Sequence, residues 1–205
     1  MIKEKFGSRL DGWMLAVAPF LFRRVVNPNV LTVMGACISL VAAAAFAQGA
    51  FVAGGLLTLA GGGFDLIDGV VARRHGISTR FGAFLDSTLD RLVDMALFLG
   101  IAVHYAQVAR PDVVLLAGAA LVPTVLVSYS KACAELSIGP MSVGLFERAE
   151  RVGVVALGAI LGMVIPALWV VAIGSTVTVA QRFVYAHREM KRIDAEECAG
   201  LGELS

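Results

Sequence analysis

Of 205 residues, 58% are hydrophobic and only 16% charged, where a soluble domain carries about 25% charged residues; this excludes a soluble fold and indicates an integral membrane protein. The net charge of +1 says nothing about partners until the charges are placed by side. Three scattered cysteines, Cys37, Cys133 and Cys198, give neither a disulfide framework nor metal-ligand spacing.

The N-terminal stretch 2–25 mixes Lys3, Lys5, Arg9, Arg23 and Arg24 with Phe6, Leu10, Trp13, Met14, Phe20 and Phe22. It lacks a signal-peptide core and is expected to lie as an amphipathic helix in the membrane interface. Asn27-Pro28-Asn29 ends it, because proline breaks one helix and suits the first turn of the next. Six spans then follow at about 30–49, 51–72, 82–106, 112–134, 150–165 and 167–187, with a tight hairpin at Pro166. The expected architecture is all-α: a juxtamembrane segment 1–27, a six-helix transmembrane domain 28–190 and a polar tail 191–205.

Charge orients this arrangement. With an even number of spans the termini share a side, and of the 17 Lys and Arg residues all but Arg110 fall on that side or near its interface. The positive-inside rule makes it the cytosol. Span two descends to that level with Asp65 and Asp68, and span three rises from it with Asp86, Asp90 and Asp94. Lys131, Arg148, Arg151 and Arg182 arrive at the same level from the remaining spans.

The aspartates are the expensive feature, since a carboxylate in a spanning helix costs roughly 2.5–3.5 kcal/mol on insertion scales. Asp65 and Asp68 are i,i+3 neighbours, and Asp86, Asp90 and Asp94 form one i,i+4 stripe. Two acidic rows on facing helices can hold hard divalent ions, and four aspartates suit a two-metal clamp around an in-line displacement. Gly69, Ala72 and Gly82 remove side-chain bulk and so permit close approach to the backbone. Arg73 offers a fork of donors suited to a pyrophosphate. Asp94 is expected to support the helix pair. Gly61-Gly62-Gly63 most simply allows close helix packing, and Arg80 is expected to snorkel to headgroups.

The run Asp65-x2-Asp68-Gly69-x2-Ala72-Arg73-x8-Gly82-x3-Asp86-x3-Asp90 resembles the complete signature of the CDP-alcohol phosphotransferase family. Eight fixed residues at typical usage of ~6% each match a given start by chance on the order of 10⁻¹⁰. The resemblance implies transfer of a phosphatidyl group from a CDP-linked lipid, CDP-diacylglycerol, to an alcohol, with release of CMP. It implies Asp65, Asp68, Asp86 and Asp90 as ligands of Mg²⁺, two ions per site, with Mn²⁺ as a substitute. Asp90 would also be the base for the acceptor hydroxyl. Pro28, Asn29, Gly69, Ala72, Arg73, Thr79 and Gly82 would contact the CDP-lipid. A homodimer in a bacterial or archaeal cell membrane is implied, with the active site cytosolic and no nucleic-acid partner.

Ser128 to Glu135, Phe146 to Arg151, Thr79 to Arg91 and Gln181-Arg182 are similar to the branch that accepts inositol 1-phosphate. That branch makes phosphatidylinositol phosphate or its archaeal ether-lipid equivalent. Lys131, Arg151 and Arg182 would bind the acceptor phosphate. Arg148 is a weaker candidate, expected to pair with Glu147 or Glu150. Cys133 stands where the branch usually has arginine, so glycerol 3-phosphate remains the alternative acceptor. Two other readings are weighed against this one: a six-span divalent-cation transporter and a non-catalytic membrane scaffold. The apolar outer halves of the spans argue against a permeation path.

Overall fold

The structure, a computed structural model, describes residues 27–75, 77 and 79–202, and of residues 68, 72–75 and 197–202 the backbone only. Six helices run through them: α1 Pro28–Ala47, α2 Phe51–His75, α3 Arg80–Gln107, α4 Pro111–Ile138, α5 Arg148–Ile160 and α6 Val164–Gly202. No strand occurs among the described residues. The interfacial helix expected ahead of α1 lies, apart from Asn27, outside them.

Asn27 caps α1, its side-chain oxygen accepting from Asn29 N at 3.0 Å, and Pro28 takes the first turn where its missing donor costs nothing. Two buried hydroxyls are satisfied by their own helix: Ser39 donates to Gly35 O at 2.9 Å and Thr58 to Gly54 O at 2.8 Å. Helix α1 packs against α2 and α3, α4 against α3 and α6, and α5 against α2 and α6. Backbones approach closely at small residues. A Cβ on Gly61 would sit 2.9 Å from Gly35 O, and one on Gly100 would sit 2.2 Å from Ala43 O. Gly62 and Gly63 meet nothing within 4 Å, so only the first glycine of the triplet serves packing.

The buried core gathers Phe46, Leu97, Ile101, Val113, Leu168 and Val171. Outside it the bundle shows large apolar side chains such as Leu115, Leu136, Trp169 and Ile173, the surface expected where lipid replaces water. Among the described residues four helices are long and apolar enough to cross a membrane: Pro28–Ala47, Phe51–Val71, Pro111–Ile138 and Val164–Glu196. Helix α3 is long enough at 28 residues but carries Arg80, Asp86, Asp90, Arg91 and Asp94. Helix α5 has only 13 residues.

Two boundaries depart from expectation. The turn before α6 falls at 161–163, with Gly162 in the left-handed region at φ 70°, and Pro166 sits inside the first turn of α6. Helix α6 also continues through the segment read as a polar tail. There Arg192 pairs with Glu189 and lies 3.9 Å from Glu196, pairs at helical spacing that favour continuation.

Candidate active site

Helix α2 ends and α3 begins at one end of the bundle, which brings their acidic rows together. One carboxylate oxygen from each of Asp65, Asp86 and Asp90 can be chosen so that all lie within 4.8 Å of one another. Asp86 and Asp90 share a face of α3 by their spacing, and Asp65 supplies the facing helix. Three carboxylates gathered so closely repel one another unless a cation sits among them. An all-oxygen set from two helices fits a hard divalent ion. Asp68 follows Asp65 on α2 by three residues; its side chain lies outside the described set.

The structure also places a side chain there that local sequence does not reveal. Arg148, the first residue of α5, donates through Nη1 to Asp65 Oδ2 at 2.7 Å and lies 3.0 Å from Asp90 Oδ1. Its Nε stands 3.4 Å from Asp94 Oδ1, where neither atom completes a hydrogen bond. The guanidinium expected to pair with its neighbours Glu147 or Glu150 thus reaches across to α2 and α3, because buried carboxylates attract it more strongly than solvated ones. Asp94 holds a second cation on its other oxygen: Arg151 Nη2 at 3.5 Å. Asp94 therefore links Arg148 and Arg151, a supporting role in keeping with its place outside the signature.

The basic residues divide by environment. Arg151, 2% exposed, donates to Phe146 O at 3.1 Å and lies within electrostatic reach of Arg182. Arg182, also buried, donates through Nε to Val143 O at 2.9 Å and through Nη1 to Val127 O. Lys131 is half-exposed and 3.8 Å from Glu135 Oε1. That same carboxylate oxygen accepts from Met141 N at 2.9 Å. Arg182 thus fastens loop 139–147 to α4 and α6, helped by Thr178 Oγ1, which accepts from Phe146 N at 3.1 Å. This loop leads directly into Arg148 and Arg151, so its anchoring fixes where α5 starts.

One recess borders the carboxylates and another lies where α1 and α3 begin. A cleft of ≈ 450 Å³ is lined by Thr58, Gly62, Gly63, Asp65, Asp90 and Arg148 among others, and the open faces of Gly62 and Gly63 form part of its wall. A second, of ≈ 320 Å³, is lined by Asn27, Pro28, Asn29, Ile77 and Thr79. Thr79 caps α3 by accepting from Gly82 N at 2.9 Å. A Cβ on Gly82 would lie 2.9 Å from Asn29 Oδ1 and 3.0 Å from Thr79 Oγ1, so glycine keeps this corner open. Of the residues expected at a CDP-lipid, Pro28, Asn29, Thr79 and Gly82 therefore meet, and Gly69 lies half-buried on α2. The side chains of Ala72 and Arg73 lie outside the described set.

A family model described as CDP-alcohol phosphatidyltransferase matches residues 25–181. The phosphatidylinositol phosphate synthase of Streptomyces avermitilis is 40% identical over 198 residues, covering 89% of this chain and 81% of its own length. The archaetidylinositol phosphate synthase of Pyrococcus horikoshii is 35% identical, covering 81% of this chain and 86% of its own. Among solved structures, Mycobacterium tuberculosis phosphatidylinositol phosphate synthase with CDP-DAG bound superposes with a TM-score of 0.73 at 30% identity, covering 89% of this chain and 94% of that one. The same enzyme in complex with manganese and citrate gives 0.75 at 33% identity, covering 84% and 88%.

Proposed function

The chain belongs to the CDP-alcohol phosphatidyltransferase family, and from that premise we propose that it transfers the phosphatidyl group of CDP-diacylglycerol to inositol 1-phosphate. The products are phosphatidylinositol phosphate and CMP. The observation that carries this reading is the cluster of Asp65, Asp86 and Asp90 oxygens within 4.8 Å, with two arginines of α5 beside it.

Asp65, Asp68, Asp86 and Asp90 would hold two divalent ions, Mg²⁺ by preference and Mn²⁺ in its place. Such ions neutralise the charge that develops on the pyrophosphate and raise the electrophilicity of the phosphorus. The remaining work belongs to side chains. Pro28, Asn29, Gly69, Ala72, Arg73, Thr79 and Gly82 would seat the CDP group, the open corner at Gly82 giving it backbone contact. Lys131, Arg151 and Arg182 would meet the acceptor phosphate, for which a guanidinium offers a paired fork of donors. Asp90 would take the proton from the acceptor hydroxyl. The freed oxygen then bonds to the phosphorus bearing the diacylglycerol, and the bond from that phosphorus to the oxygen of CMP breaks. An alcohol is a weak nucleophile at neutral pH, so a carboxylate within reach is a chemical requirement.

Six spans, an interfacial N-terminal helix, a homodimeric state and a cytosolic active site complete the proposal. The charge asymmetry and the length of α3 support the first and last of these. The two relatives quoted above, both named for inositol phosphate products, support the acceptor. Cys133, where an arginine is usual, keeps glycerol 3-phosphate as the competing acceptor. The test is CMP release from CDP-diacylglycerol by the purified protein with Mg²⁺. Turnover is expected with inositol 1-phosphate and not with glycerol 3-phosphate; the reverse pattern would reassign the acceptor.

A further inference from the structure

We propose that Arg148 is a tethered competitor for the divalent cation, holding Asp65 and Asp90 until an ion displaces it toward Asp94. This rests on the reading of the aspartates as a metal site and goes beyond it. Arg148 Nη1 is shared between carboxylates of two different helices, 2.7 Å from Asp65 Oδ2 and 3.0 Å from Asp90 Oδ1. One oxygen from each of Asp65, Asp86 and Asp90 can be chosen so that all lie within 4.8 Å of one another, so a dication held there would stand close to the guanidinium that already contacts Asp65 and Asp90. Like charges about 4 Å apart in a protein repel strongly. One cation must therefore yield.

The surroundings show which one moves and where. Arg148 opens α5 directly after loop 139–147, and its side chain borders the ≈ 450 Å³ cleft, so it has room to swing. Its Nε and Asp94 Oδ1 face each other at 3.4 Å without completing a hydrogen bond, an interaction that a small shift of the side chain would complete. Asp94 is thus a second station along the path of the same guanidinium. Arg151, by contrast, is 2% exposed and tied to Phe146 O, so it stays in place. With Arg148 among the carboxylates, α2, α3 and α5 remain in register, and the affinity for metal is lowered by the cation it must displace.

The test is a titration of full-length, detergent-purified protein with Mn²⁺, reading free Mn²⁺ by electron paramagnetic resonance, in wild type, Arg148→Gln and Arg148→Lys. Arg148→Gln should bind Mn²⁺ about tenfold tighter or more, the scale of one nearby like charge removed. Arg148→Lys, which keeps the charge, should stay nearer to wild type. Thermal melting supplies a second readout: Mn²⁺ should raise the Tm of Arg148→Gln more than that of wild type. Equal or weaker Mn²⁺ binding by Arg148→Gln, or the same Tm loss with and without Mn²⁺, makes Arg148 a fixed structural bridge and overturns the proposal. Absence of Mn²⁺ binding in all three proteins overturns the metal reading along with it.

Discussion

Asp90 carries two demands at once, as an oxygen donor in the acidic cluster and as the proposed proton acceptor. Asp90→Asn keeps the shape and removes the basic lone pair, so CMP release should fall by roughly 10²–10⁴ while the protein still purifies and melts as a folded species. Full activity in that variant would remove Asp90 from the role. Arg182 makes a different prediction, because its fork spans two carbonyls, Val127 O and Val143 O. Lysine offers one point of donation and leaves a buried carbonyl unpaired. Arg182→Lys should therefore cost about 1–3 kcal/mol of stability, read as a lower Tm, and should raise KM for the acceptor. That Asp86 and Asp90 share a face of α3 was legible from spacing, since helical geometry fixes it, and the structure adds an oxygen of Asp65 from the facing helix. The partner of Arg148 was not: Asp65 is 83 positions away, and nothing local outweighs the adjacent Glu147 and Glu150.

Among the elements, α1 to α4 lie close to the expected bounds: α1, α2 and α4 hold long apolar runs, and α3 becomes apolar only beyond its charged first half. The last pair does not. Proline reads as a breaker, yet at Pro166 it is accommodated within the first turn, so the actual break moved to 161–163. The continuation of α6 was equally hidden, since polarity signals the end of a span but not the end of a helix. Contacts between elements are testable at the glycines. Gly100 touches backbone of α1, where a methyl would sit 2.2 Å from Ala43 O. Alanine gains about 1 kcal/mol in helix propensity but overpacking costs about 1–3 kcal/mol, and a backbone neighbour cannot rotate aside. Gly100→Ala should lower the Tm, whereas Gly118→Ala, with nothing within 4 Å, should leave it unchanged or higher.

Among the described residues, the clustered carboxylates and arginines gather at one end of the bundle, and exposed apolar side chains cover much of the rest. This polarity predicts sidedness. In a background lacking Cys37, Cys133 and Cys198, a cysteine at Arg110 should react with a membrane-impermeant maleimide in intact cells. A cysteine at Glu196 should react only after permeabilisation. Labelling of both from outside would break the even-span topology. Chelation should likewise silence CMP release in the purified enzyme, and added Mg²⁺ or Mn²⁺ should restore it. Loss of restoration would separate the acidic cluster from catalysis.

The 39 residues of α6 span about 58 Å at 1.5 Å per residue, nearly twice the thickness of a hydrocarbon core of about 30 Å. What emerges is a stiff post in place of a limp tether. A fluorophore attached near its end would keep a fixed bearing relative to the bilayer normal. Polarised fluorescence from supported membranes could then register any tilt of the bundle during turnover, with the post acting as a lever arm.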